Sequence, residues 1–220
     1  MNVNDFIARF RSDLDDAELP YLWSDADIIR YLNSAIKEAC ERALLIEDRT
    51  TIDACRLRTV VGRADYDLHP SVIKVKRVAF RGRALEETSI EAMDSACSGW
   101  ESRLGEPRKF IGSDRSIRLV PKPSMSEIIT LIVYRTQLDE FDTDPLRSGD
   151  DDLEIGSIYH ERLLPWMYCL AYRKHDSEAL DKGKALEYEA TFERSFGVRP
   201  DANVQRKHRD RRPPLIQSAW

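Results

Sequence analysis

The sequence predicts an α+β protein: a helical bundle formed by the N- and C-terminal helices, with an antiparallel β-domain inserted between them. Three observations carry that expectation. Apolar residues recur at three-and-four spacing near both chain ends, and short runs of period near two, punctuated by turn residues, fill the middle. Strands do not alternate with long helices, so a parallel α/β sheet is not expected. The divisions are residues 1–48 for the opening helices, 49–138 for the inserted domain, 139–156 for an acidic linker or loop, 157–197 for a closing helical pair, and 198–220 for an extended basic tail.

The opening helices follow from spacing and caps. Asn4 can cap a first helix with Phe6, Ile7, Phe10 and Leu14 on one face, ending near Leu19 and Pro20. The segment WSDADIIRYLNSAIKEACERALLI is the clearest helix. Ser24 stands as N-cap, Asp25 and Asp27 complement the helix dipole, and Ile28, Leu32, Ile36, Ala39 and Ala43 share a face.

After Asp48 the texture turns to sheet. Thr50 to Val61 reads as one β-rich run, followed by a turn at Gly62 and by VIKVKRVAF, Val72 to Phe80, where Val and Ile alternate with Lys. Arg81 and Gly82 suggest a hairpin turn, GSD at Gly112 a second, and Ser116 to Val120 and Glu127 to Gln137 two further strands. Ser89 to Ser95 suggests a short helix, with Trp100 packed beneath the sheet.

The stretch DEFDTDPLRSGDDDLE, Asp139 to Glu154, holds eight acids and one base and reads as an exposed loop. Two helices are expected after it, about Ser157 to His175 and Ser177 to Phe196, the second stopped by Gly197. Pro165 lies inside the first, so a kink or a broken start is expected there.

Composition excludes several classes. The longest strongly apolar run, Ile128 to Tyr134, is far short of the roughly 20 residues of a membrane span. MNVNDF carries an acid where a secretory signal has bases, and an intracellular origin is expected. Cys40, Cys55, Cys97 and Cys169 show no metal or redox spacing and read as small buried apolar residues. Histidines 69, 160, 175 and 208 are not brought together by the sequence alone, the His160–Glu161 pair lacks the second His of a zincin, and no G-x-S-x-G, P-loop or G-x-G-x-x-G pattern occurs. The acids Asp150, Asp151, Asp152 and Glu154 sit in a Gly-containing loop without a calcium pattern. No catalytic residue, metal or cofactor is expected.

The ending RKHRDRRPPLIQSAW is the unusual feature. Arg199 to Arg212 carries a local charge of +4, which leaves −9 for the remainder of a chain whose formal net charge is −5. Pro213 and Pro214 stop a helix, so the segment should be extended. Large apolar residues are uncommon in purely solvated termini. The segment therefore reads as a docking arm: Leu215, Ile216 and Trp220 are its anchors, and Arg206, Lys207, Arg209, Arg211 and Arg212 steer it to an acidic surface. A second reading is a DNA-associated regulatory or packaging module. It uses the same tail together with Arg56, Arg58, Lys74, Lys76, Arg77, Arg81 and Arg83 of the β-domain, although alternating lysines are also what a solvated sheet face carries.

Three stretches, in order and spacing, resemble the tailed-bacteriophage head-to-tail adaptor (connector) proteins. They are PYLWSDADIIRYLNSAIKEA with its Leu32–Asn33 pair, the β-domain ending in IRLVPKP (Ile117 to Pro123), and His160 to Gly197. The resemblance implies a structural virion protein at the head-tail junction, assembled in the host cytoplasm. It also implies a homo-oligomeric ring of about twelve subunits between the portal protein and a tail or nozzle protein. Such a ring extends the DNA channel, so genomic DNA is a non-specific neighbour during ejection; no membrane and no catalytic centre are implied.

Overall fold

The computed structural model describes residues 1–174 and 179–201. In chain order its elements are α1 (Val3–Asp13), α2 (Asp25–Ala43), β1 (Ile46–Asp48), α3 (Ile52–Cys55), β2 (Arg56–Arg58), β3 (Asp65–Asp67), β4 (Val72–Phe80), β5 (Arg83–Ala84) and β6 (Glu86–Thr88). There follow α4 (Ile90–Ala96), β7 (Leu104–Gly105), β8 (Lys109–Gly112), β9 (Ser116–Val120), β10 (Lys122–Pro123), β11 (Ile128–Arg135), α5 (Pro145–Ser148), α6 (His160–Tyr172) and α7 (Lys182–Phe196). The fold is α+β, with contacts dividing the described chain into a helical unit, Met1–Glu47 with Arg135–Arg199, and a β-rich unit from Asp48–Tyr134.

In the helical unit, α6 packs on α7 and α2, and α1 packs on α2 and α6. The apolar faces meet in a core that includes Phe6, Phe10, Ile28, Leu32, Leu163, Met167 and Phe192. Each such side chain contributes roughly 1.5–3 kcal/mol on leaving water. The cap of α1 is Asn2 rather than Asn4. Its side chain accepts from Asp5 N–H while the Asp5 carboxylate accepts from Asn2 N–H, both at 2.9 Å, a reciprocal box that fixes the start two residues early. The helix also stops at Asp13, well short of Leu19, because Asp15 turns left-handed (φ 54°) and the chain wraps around Arg11. Ser24 caps α2 as expected, accepting from Asp27 N–H at 3.2 Å.

Two larger sheets and a two-stranded one, β10-β7, build the β-rich unit. Of the larger two, one has the order β1-β11-β4-β5, with β2 also paired to β11, and the other the order β3-β9-β8-β6. Val78, Phe80, Phe110, Ile117, Leu119, Ile129, Leu131 and Val133 form a common core. Most pairings are antiparallel; β6–β8 and β10–β7 are parallel. The turn from β4 to β5 has φ 50° at Arg81 and 79° at Gly82, as a two-residue hairpin of matching twist requires. The run from Thr50 is not one strand: Ile52–Cys55 form a helical turn before β2, because Asp48 Oδ1 accepts from Thr50 and Thr51 N–H and starts a turn there. Trp100 is buried with Met93 and Val120 in a small satellite cluster, its indole donating to Asp94 at 2.8 Å.

The closing helices begin later than the spacing suggests. Ser157–Tyr159 form a 3-10 turn before α6, the broken start expected ahead of Pro165, and α7 begins at Lys182, where the Asp181 carboxylate caps Gly183 and Lys184 N–H.

Candidate docking surfaces

None of the eight residues expected to dock, Arg206, Lys207, Arg209, Arg211, Arg212, Leu215, Ile216 and Trp220, lies within the described residues. What the structure places is the segment from which the tail departs. Gly197 ends α7 at φ 85°, and its carbonyl accepts from Arg42 Nη1 at 3.0 Å. The Arg42 side chain is only 2% exposed; its Nε lies 2.8 Å from Glu38, and its guanidinium sits 5.1 Å from the ring centres of Trp166 and Phe192. Arg199 then reaches Glu38 at 3.4 Å and Glu41 at 3.6 Å. The chain is thus tied to the C-terminal half of α2 up to the residue before Pro200. Sequence reasoning passed over Arg42, although its i,i+4 spacing from Glu38 was visible.

The acidic stretch carries the short helix α5 and is bonded to α1 and α2. Its Phe141 is buried and bonded twice to Asn33, whose side-chain amide donates to Phe141 O at 2.9 Å while its oxygen accepts from Phe141 N–H at 3.0 Å. Asn4 N–H donates to Gly149 O at 2.9 Å, and Asn2 forms an isolated bridge with Asp152. Within it, Asp144 caps α5, and buried Ser148 Oγ donates to Asp142 O at 2.6 Å. The Asp144 backbone N–H, then the Arg147 side chain, hold the Asp142 carboxyl below the usual range.

Acids Asp139, Glu140, Asp142, Asp151, Asp152 and Glu154 line an open cleft of about 440 Å³. Among the described residues no three His, Cys, Asp or Glu are grouped to hold a metal ion. His160 is a packed residue of the bundle: its Nε2 meets Ile155 O at 2.9 Å, its Nδ1 meets the Met1 amine at 3.2 Å, and its ring lies against Phe6. Cys40, Cys55 and Cys169 are buried, and burial pushes the Cys40 thiol up to about 12, which removes it from thiolate chemistry; Cys97 is half-buried.

The basic residues of the β-rich unit do come together. Arg56 and Arg58 pair with Thr130 and Ile128 of β11, so these four share one sheet face. Lys76 extends over Tyr134, which lies on the same face of β11, at 5.4 Å from the ring centre. Arg56, Arg58, Lys74, Lys76, Arg77, Arg81 and Arg83 are all exposed. Chemically this is a solvated cationic surface.

A family model described as SU10 adaptor protein matches residues 1–217. The chain belongs to that family of phage head-to-tail adaptors. No curated protein matches the chain. Membership makes the adaptor a structural phage protein of the virion and implies association with portal and tail components. Among its described residues no helix is long and apolar enough to cross a membrane.

Proposed function

We propose that the adaptor assembles into a closed ring of about twelve copies between the portal and the tail, extending the channel through which DNA passes. The match to the adaptor family over residues 1–217 carries this reading. The exposed residues carry both signs of charge, which suits complementary head-to-tail contacts between copies. The segment Arg206 to Trp220 serves as the arm that docks onto the portal, leaving a root fixed by Arg42 and Arg199. DNA in the channel is a non-specific neighbour. Electron microscopy of the adaptor mixed with its portal tests the reading. Closed rings seated on the portal are expected, and a monomer that never associates with it under any condition would overturn the assignment.

A further inference from the structure

At one end of the β-rich unit, four segments converge on a rigid platform. Thr59 is fully buried; its N–H donates to Glu127 O at 2.8 Å and its hydroxyl accepts from Glu127 N–H at 2.7 Å. Gly62 N–H donates to Pro123 O at 2.9 Å, Ser124 N–H to Gly105 O at 3.0 Å, and Arg81 Nη1 lies 3.9 Å from Met125 Sδ. The Tyr66 hydroxyl accepts from Val60 N–H at 3.0 Å and reaches the carbonyls of Arg63 and Val60 at 2.9 and 3.2 Å. These bonds hold apolar side chains out in water: Val60, Val61, Leu104 and Met125 are 53%, 57%, 61% and 38% exposed. The same segments expose Arg58, Arg63, Arg81 and Arg103, together with the acids Asp65, Asp67, Glu101 and Glu106. Where Arg63 and Arg81 have acidic partners, Asp67 at 3.7 Å and Glu127 at 3.8 Å, the pairs are loose and each side chain is 40% or more exposed. Such pairs exchange at little cost.

The acidic segment of the helical unit has the opposite character. Leu146 on α5 is 94% exposed, the highest value for a large apolar residue among those described. It is carried on a pinned turn: a Cβ on Gly149 would stand 2.5 Å from Pro145 O and 2.6 Å from both Asn4 amide atoms, so the segment closes tightly against α1. Around Leu146 the stretch Asp139 to Glu154 holds eight acids and one base.

We propose that the apolar, arginine-rimmed end of the β-rich unit receives the α5 turn of a neighbouring copy, with Leu146 inserted beside Val60, Val61 and Met125. The inference rests on the ring reading, because a head-to-tail ring needs two different, complementary faces on every copy. Charge favours a second copy as occupant: the stretch that carries the protruding leucine holds eight acids and one base, and four exposed arginines lie in the segments that carry the apolar platform. Both sides are held by backbone hydrogen bonds before they meet, so little ordering is lost on contact. An apolar centre with a charged rim is the usual anatomy of a specific interface.

Two full-length proteins test this, both with Cys97→Ser so that the half-buried cysteine does not react. One carries Leu146→Cys and the other Val61→Cys. They are mixed with and without the portal and treated with a short bismaleimide; Met125→Cys replaces Val61→Cys as a second socket variant. The cross-linked heterodimer is expected at about tenfold or more over a control pairing Leu146→Cys with Leu186→Cys, as for sites held at high effective concentration. A yield equal to the control with both socket variants overturns the inference, whether or not rings form. A strong cross-link in assemblies that never close keeps this contact and instead defeats the ring reading.

Discussion

Arg11 shows how one buried charge shapes a connection. Its side chain is 10% exposed; Nη1 lies 2.9 Å from Asp16, Nη2 lies 2.5 Å from Asp25, and Nη2 also donates to Trp23 O at 3.2 Å. Asp16 accepts from Leu22 N–H at 2.7 Å, and the Tyr21 ring lies 3.6 Å from the guanidinium. The segment from Asp15 to Ser24 is therefore wound around a cation, not around an apolar plug. The spacing of Phe6, Phe10 and Leu14 suggested a longer α1 because periodicity records apolar faces and carries no trace of an arginine recruited by carboxylates further along the chain. Arg11→Met is expected to destabilise the protein by about 3–5 kcal/mol, since two carboxylates lose their partner while one of them stays buried. Chemical denaturation monitored by tryptophan fluorescence measures this; a loss under about 1 kcal/mol would show that the loop is held by packing instead.

Among the elements, three set by a local cap or turn pair were legible. Ser24 starts α2, Ser89 starts α4, and Arg81–Gly82 closes β4 onto β5, each from chemistry confined to a few neighbouring residues. Elements set by distant partners were not. The parallel pairing of β6 with β8 joins Glu86 to Lys109, and the order of Asp139–Glu154 depends on Asn33 and on the backbone of Asn4. A single sequence lists the acids of that stretch but not the bonds that fix it. The Thr59–Arg63 loop is another such case, since its shape depends on one phenol. Removing that hydroxyl leaves the Val60 N–H and two carbonyls without it, so Tyr66→Phe is expected to cost roughly 1–2 kcal/mol. It should also speed hydrogen exchange at Val60 and Arg63 relative to the β11 core. Unchanged exchange at both amides would mean that Thr59 alone fixes the loop.

For the whole molecule, the tail and the bundle should be separable. Arg199 is held by Glu38 and Glu41, and the residues proposed to dock begin after it, so deleting 206–220 is expected to leave the melting temperature within about 2 °C of the full chain while weakening attachment to the portal. Loss of stability on deletion, or attachment unchanged by it, contradicts the docking role. The tail's charge, prolines and apolar residues are visible in the sequence, whereas a single sequence carries no information on the acceptor that the proposed docking role requires. The helical unit is also discontinuous, with α1 and α2 made first and α6 and α7 last. On the ribosome, Phe6 and Phe10 are synthesised more than a hundred residues before the Leu163 and Met167 that share their core. At roughly 5–20 residues per second, they wait on the order of ten seconds. The β-rich insertion has all of its strands in hand before then, so vectorial synthesis gives it the first opportunity to fold and leaves the opening helices as the stretch that nascent-chain chaperones must shelter.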